Sequence, residues 1–401
     1  MAEQTNFCGI ICEFNPLHFG HRAILERAKT IAPVICVMSG SFVQRGEPAM
    51  LDKWSRTRLA LESGADLVFE LPLPWACAGA ERFAFGAVSL LNALGLEGSL
   101  FFGSETGETA LLEETAAILL SPGFQAKISG ELKQSKASFA QTRENVLRRH
   151  FGAVYAQTLR QPNNILGIEY CKALQRLNAP IRPLTLLRQG AGHDRPAQSG
   201  EFLSASEIRR KILSGEDFSR DLPPQTASLL QERIENGEAP HSLAFLERSL
   251  LSRLRRMSAD EFAQVPDVGE GLEYKLASAV KQACSAQELY TLVKSKRYSH
   301  ARIRRIVLSA FLGLTKELPE APAYLRVLGM NRTGEQLLRQ AQPRLPLAVR
   351  PSDFRRLGGM PLRLFELEAQ ADDLYALSAP RILPCGDDYT RPLIKLSSNR
   401  Q

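Results

Sequence analysis

The chain has 401 residues, more than the ~250–300 at which a single hydrophobic core usually stops growing, so two domains are expected. Hydrophobic residues at 44% and charged residues at 23% exclude a charge-dominated disordered chain, and no apolar run approaches the ~18–20 residues of a membrane span. The start MAEQTN carries no basic flank of a secretory signal, so a cytoplasmic protein away from membranes is expected. Seven cysteines, an odd number and several inside apolar runs, suit a reduced compartment rather than a disulfide framework. The net charge of +7 is regional: residues 251–350 hold 17 Lys/Arg against 9 Asp/Glu, whereas the rest of the chain holds 33 against 34. A basic surplus of this kind suits a nucleic-acid backbone surface.

In chain order, Phe7–Cys12, Val34–Met38, Asp66–Leu71, Leu100–Gly103 and Ile181–Leu187 read as buried strands. Helical patterns intervene at 19–30, 53–62, 80–94 and 109–120, with a polar helical insertion at 138–149. Apolar strands separated by helices predict an α/β domain with a parallel, Rossmann-like sheet over residues 1–221. After the LPP segment at 222–224 the strand signals fade. Helices predicted at 224–236, 241–257, 271–283, 286–294, 299–312 and 332–340 make 222–401 a mainly helical domain, with a tail from Phe354 returning to the first.

In an open parallel sheet, ligand chemistry belongs at the carboxyl ends of the strands. The first strand runs into CEFNPLHFGH, which puts His18, Gly20 and His21 at a strand-to-helix turn. A helix N-terminus offers free N–H groups and partial positive charge, and two imidazoles three residues apart add donors aimed at one point, which suits a phosphate. Gly20 is expected to let the backbone approach the ligand without a Cβ. Cys8, Cys12, His18 and His21 have the composition of a zinc set. Strand spacing of ~3.3 Å per residue, however, parts the two cysteines by about 13 Å, and no metal ligand is expected.

Further carboxyl-edge candidates follow. The loop after the second strand carries Arg45, Lys53, Arg56 and Arg58, cations that suit a triphosphate or else a solvated helix face. Gly103 leaves room for a base or ribose, and Asn164 reads as an N-cap that leaves Asn163 free to donate to a ligand. Arg188 ends the fifth strand. Ser204-Ala-Ser206-Glu207-Ile-Arg209 brings hydroxyls, helix N-terminal amides and a guanidinium to one anion, and Ser204 with Glu207 also has the spacing of a capping box. In the basic region Arg253, Arg256, Lys294, Lys296, Arg297, Arg302, Arg304 and Arg305 interleave with Tyr298 and His300, a pattern that fits RNA phosphates and stacking.

The His-x-Gly-His turn on the first strand resembles that of the nucleotidylyltransferase superfamily, whose imidazoles stabilise charge on the α-phosphate and departing pyrophosphate. Over nearly the whole chain, GIICEFNPLHFGH, SGSFVQRGEPA, DLVFELP, PNNILGIEY, YLRVLGMN and DYTRPLI resemble the tRNA(Met) cytidine acetate ligases. The resemblance implies ATP and acetate forming acetyl-adenylate, with acetyl then passing to N4 of the wobble cytidine of elongator tRNA(Met). It implies His18 and His21 as catalytic residues. It implies an ATP site on Ile11, Cys12, Glu13, Phe14, Asn15, Pro16, Leu17, His18, Phe19, Gly20, His21, Arg22, Ala23 and Ile24, with Gly103, Asn163 and Arg188. Lys53, Ser204 and Arg209 are further phosphate candidates, Arg297, Arg302, Arg304 and Arg305 are the tRNA candidates, and Mg²⁺ is expected to accompany ATP. Two other classes stay open: a nucleotidylyltransferase making a small dinucleotide cofactor, which leaves the basic helical half unexplained, and a non-catalytic RNA-binding protein on the same fold, which leaves the intact His18, His21, Arg188 and Arg209 unexplained.

Overall fold

A computed structural model describes residues 6–134, 137–188, 203–295 and 298–396. Ten strands form among these residues: β1 (Phe7–Cys12), β2 (Val34–Ser39), β3 (Phe42–Val43), β4 (Glu47–Pro48), β5 (Leu67–Leu71), β6 (Gly98–Ser104), β7 (Ile181–Leu187), β8 (Leu325–Asn331), β9 (Leu347–Ala348) and β10 (Ile394–Leu396). The main sheet runs β10-β8-β5-β2-β1-β6-β7, with β9 beside β8 and the β3–β4 hairpin apart. All its pairings are parallel except β5 with β8. Every residue of β2 and β5 is buried, as a sheet covered on both faces requires. The chain turns to opposite sides of β1 for β2 and for β6, so the switch point, and the crevice it opens, lies at the carboxyl ends of β1 and β6.

Three apolar cores organise the molecule. One face of the sheet packs Phe7, Val37, Phe69 and Phe102 against helices Ala80–Asn92, Thr109–Leu120 and Pro162–Arg176, and onto Phe354 and Phe365 of the C-terminal segment. The other face packs Cys8, Ile10, Cys36 and Val68 against helices Phe19–Lys29, Lys53–Glu62, Ala205–Ser214 and Pro224–Glu235. The third core lies within the helical region between Leu246 and Leu314, and reaches Phe42, Leu73, Cys77 and Tyr375 of the sheet domain.

The division at residues 221 and 222 differs from this arrangement. Helix Pro224–Glu235 buries Leu230 against the sheet, so the separate helical core begins only at Leu243–Arg255 and ends near Leu314. The return to the sheet starts at Tyr324 and Leu325, some thirty residues before the Phe354 expected from the sequence, because YLRVLGMN is a sheet strand that pairs with β5.

A cluster of charges buried under this return ties it down. Lys53 Nζ lies 2.9 Å from Glu70 and 2.6 Å from Asp388, while Arg326 bonds the same two carboxylates at 2.8 Å each and sits against the Phe365 ring. Burial pushes the Lys53 ammonium down, but Asp372, Asp388 and Glu70 more than reverse this and hold it above its ordinary range. Asp388 is held down at about 2, since Arg326 and Lys53 outweigh its desolvation; burial pushes Asp372 up to about 7. Lys53 is 0% exposed, so the expectation that it meets a phosphate is corrected: it is a core ion that joins helix Lys53–Glu62 to β5 and the C-terminal segment.

Candidate functional site

The crevice at the switch point holds a cavity of about 280 Å³. Its floor is the end of β1, where Phe14 adopts a left-handed backbone (φ 47°) with its ring edge-on to His21 at 5.3 Å. A bulky residue there is strained, and such strain concentrates at functional sites. His18 is the N-cap of helix Phe19–Lys29, and its Nδ1 accepts from Gly20 N at 3.0 Å; His21 Nδ1 accepts from His18 N at 3.4 Å. With both Nδ1 atoms acting as acceptors, each neutral ring carries its proton on Nε2 and is a donor. The rings stack at 3.8 Å. Burial, then the nearby Arg188 and Arg209 charges, push His18 down to about 3. Burial, then His18 and Arg188, push His21 well below its ordinary value, with the Pro16 carbonyl partly opposing them. The pair is therefore uncharged at neutral pH.

Gly20 works differently from its sequence reading. A Cβ there would meet His18 Cε1 at 2.8 Å, so the glycine makes room for the catalytic candidate's own ring, and it does not line the cavity.

Glu105, just after β6, accepts from the N–H groups of Asn163 and Asn164 at 3.1 and 2.7 Å and from Asn163 Nδ2 at 2.7 Å; Asn163 Oδ1 in turn accepts from Arg188 Nη1 at 2.7 Å. The guanidinium is thus oriented by two residues, and its stem crosses Gly103, where a Cβ would lie 2.9 Å from Arg188 Cγ. Asn164 is not the N-cap; Gln161 is. Asn164 is buried and its Oδ1 accepts from Glu105 N and Thr106 N, so of the two asparagines it is Asn163 that faces the cavity.

On the opposite wall, Arg209 Nη1 donates to Asn15 O at 2.9 Å and Nε lies 3.3 Å from Glu47, while Arg45 donates to Ser206 Oγ at 3.1 Å. The capping box of Ser204 and Glu207 forms as its spacing predicts; Ser204 is consumed by it, while Ala205 and Arg209 line the cavity. Arg56 is 0% exposed and donates to the carbonyls of Glu13, Ser39, Gly40 and Leu51, which makes it a strut between the loops after β1 and β2 rather than a phosphate ligand. Arg58 pairs with Glu62 on the exposed face.

Of the N-terminal stretch, Ile11, Cys12, Glu13, Phe14, Asn15, His18, His21 and Ile24 line the cavity. Pro16, Leu17, Phe19, Gly20, Arg22 and Ala23 do not: Leu17 is in the core and Arg22 pairs with Glu26 on the outer helix face. Residues that sequence reasoning missed include Gln44, Phe101, Phe102, Leu166 and Tyr170. Asn163, Leu166 and Tyr170 are spaced i, i+3, i+7, a helical face that was readable once the helix was assigned.

Among the tRNA candidates, Arg297 lies outside the described residues. Arg302 donates to Asp267 O at 2.8 Å and stacks on Tyr298, and Arg304 lies over Tyr290 in a second cleft. Arg305 points toward Gly79 of the sheet domain, not to an open face. Arg253, Arg256 and Lys294 are exposed.

The HIGH Nucleotidyl Transferase family model matches residues 5–385. A tRNA(Met) cytidine acetate ligase of Thermoanaerobacter sp. (strain X514) is 38% identical over 97% of this chain and 99% of its own. The chain belongs to the tRNA(Met) cytidine acetate ligase family. The enzyme of that name from Acetivibrio thermocellus is 37% identical over 96% of this chain and 99% of its own. Crystal structures of Thermotoga maritima TmcAL, 31% identical, superpose with TM-scores of 0.92 for the apo form and 0.91 for the form bound with alpha-thio ATP, each covering 98% of this chain and 100% of that one. This chain and the Thermotoga maritima protein thus share the whole architecture, helical region and returning segment included. No helix among the described residues is long and apolar enough to cross a membrane.

Proposed function

We propose that this chain is an ATP-dependent ligase that activates acetate as acetyl-adenylate and transfers the acetyl group to N4 of the wobble cytidine of elongator tRNA(Met), in the cytoplasm. The observation that carries the reading is the crevice itself: two uncharged imidazole donors, a helix N-terminus and the Arg188 and Arg209 guanidinium groups converge on one cavity. The relatives' names and the nucleotide held by the Thermotoga maritima protein agree with it.

In the first step an acetate oxygen attacks the α-phosphorus of ATP and pyrophosphate leaves. The Nε2–H groups of His18 and His21 donate to the phosphate oxygens on which charge builds, and neutral rings do this without exchanging a proton. Arg188 and Arg209 offset the charge of the triphosphate. The reaction needs no protein nucleophile: among the described residues Cys12 lines the cavity, but burial pushes its thiol well up, so it stays protonated and inert.

Glu13 is the single carboxylate on the cavity wall among the described residues; burial raises its pKa, and it is already engaged by Gln44 N at 2.8 Å. These residues do not build a magnesium cage, and Mg²⁺ would travel with ATP on its phosphate oxygens and water. In the second step cytidine N4 attacks the acetyl carbonyl and AMP leaves. The tRNA backbone is assigned to the basic helical region, where Arg253, Arg256 and Lys294 are exposed and Arg304 lies on the wall of the second cleft.

The test is acetate-dependent pyrophosphate release without tRNA, followed by acetyl transfer once tRNA(Met) is added. Release that ignores acetate, or that requires a dinucleotide precursor instead, would sink the ligase reading.

A further inference from the structure

Beside the ATP cavity lies a second open cleft of about 260 Å³, walled by the β3–β4 hairpin, helix Ala205–Ser214 and the helices Leu243–Arg255, Ala286–Val293 and His300–Leu312. Arg209 lines both cavities. Three buried polar atoms of residues on the wall of the second have no hydrogen-bond partner among the described residues: Glu47 Oε1, Tyr290 Oη and Arg304 Nε. Glu47 Oε1 lies 3.3 Å from Arg209 Nε, an ion pair outside hydrogen-bonding geometry that leaves its lone pairs available. Tyr290 is 4% exposed, and Arg304 lies over its ring at 5.7 Å. A native structure rarely leaves buried donors and acceptors unpaired, because each costs about 1–3 kcal/mol. Three around one cleft point to a ligand.

The three atoms comprise one acceptor and two donors. The pairing edge of cytosine offers the converse, one donor at N4 and two acceptors at N3 and O2. Enzymes that modify a base take it out of its stack and read that edge against aromatic and polar side chains. We infer that this cleft receives the flipped acceptor cytosine of the RNA, with Glu47 accepting from N4 and Tyr290 and Arg304 donating to N3 and O2. The inference rests on the ligase reading.

Its orientation follows from Arg209. The Glu47 end is tied to the guanidinium that also bonds Asn15 O in the ATP cavity, so N4 faces the adenylate. Uracil, with an oxygen in place of N4, would turn a lone pair toward the carboxylate. Gly46 sets the spacing of the cleft: at φ 77° a Cβ would meet the Arg304 carbonyl carbon at 2.8 Å, so only glycine lets the hairpin close on helix His300–Leu312.

Tyr290→Phe and Glu47→Gln test the assignment with three readouts: pyrophosphate release without tRNA, single-turnover acetyl transfer, and dimethyl sulfate methylation of the acceptor cytosine at N3 in bound tRNA. Wild type should protect N3. Tyr290→Phe should release pyrophosphate at the wild-type rate, transfer acetyl about tenfold more slowly and restore N3 reactivity. Glu47→Gln should slow transfer further. An N3 as reactive in the wild-type complex as in free tRNA would overturn the pocket, as would both variants transferring at the wild-type rate, or pyrophosphate release falling in step with transfer. Absent acetate-dependent pyrophosphate release in wild type would instead refute the ligase reading, and the footprint would still decide the pocket.

Discussion

Two charge-rich regions lie on the same sheet and use their cations in opposite ways. Under the returning segment, Lys53 and Arg326 meet Glu70 and Asp388 at 2.6–2.9 Å with every partner sealed from solvent. In the crevice after β1, Arg188 and Arg209 face a cavity whose wall, among the described residues, includes one carboxylate, Glu13, and the two histidines beside them are kept neutral. Charges matched and sealed hold a fold together; cations that outnumber the carboxylates of an open crevice wait for an anion, even though Arg209 also pairs with Glu47 behind it. In sequence both regions read as cations after a strand, and only the partners tell them apart.

The largest effect should come from unbalancing the matched region. Lys53→Met leaves Glu70 and Asp388 one cation short, and urea unfolding should show a loss of about 3–5 kcal/mol. A loss within about 0.5 kcal/mol, the range of ordinary surface substitutions, would mean that the cluster does not tie the C-terminal segment down.

In the unmatched region the expected damage is to rate. His18→Ala and His21→Ala should each slow acetyl-adenylate formation about 10²–10³-fold, as lost transition-state donors do, while ATP affinity changes far less. Equal losses in rate and affinity would reduce the pair to a binding role.

The neutral histidines also set a pH dependence of stability. An unfolded histidine titrates near 6.5 and His18 near 3 in the fold, so below pH 6.5 the unfolded chain binds more protons and stability declines as the pH falls. The slope approaches about 1.4 kcal/mol per pH unit for each such histidine. Urea melts of wild type and His21→Gln between pH 7 and 5 should therefore differ in slope, and parallel curves would return His21 to an ordinary titration.

Arg188→Ala should have a smaller effect than the histidine changes. If, as proposed, it makes ground-state contacts with ATP, KM should rise about tenfold with kcat nearly kept, and unfolding should stay within about 0.5 kcal/mol. Asn163→Ala should follow it more weakly, since Asn163 orients that guanidinium through its Oδ1. A wild-type KM in Arg188→Ala would take the residue out of the site.

The sequence by itself determined what depends on neighbours along the chain. Strand β7 forms at Ile181–Leu187 and helix Lys53–Glu62 at 53–62 as their patterns predict, the Ser204 capping box forms, and His18 and His21 share a helix N-terminus because a cap and its N3 residue are always close. What it left undecided depends on contacts between distant segments. Nothing local in Leu325–Asn331 says that it pairs antiparallel with β5, some 260 residues earlier, and the short β10 carries almost no pattern of its own. Lys53 became a core ion only because Asp388 arrived from the far end of the chain, and Arg305 was turned toward Gly79 only because the helical region docks on the sheet domain. A charge has one meaning beside water and another beside a buried carboxylate, and tertiary packing alone decides which neighbour it has.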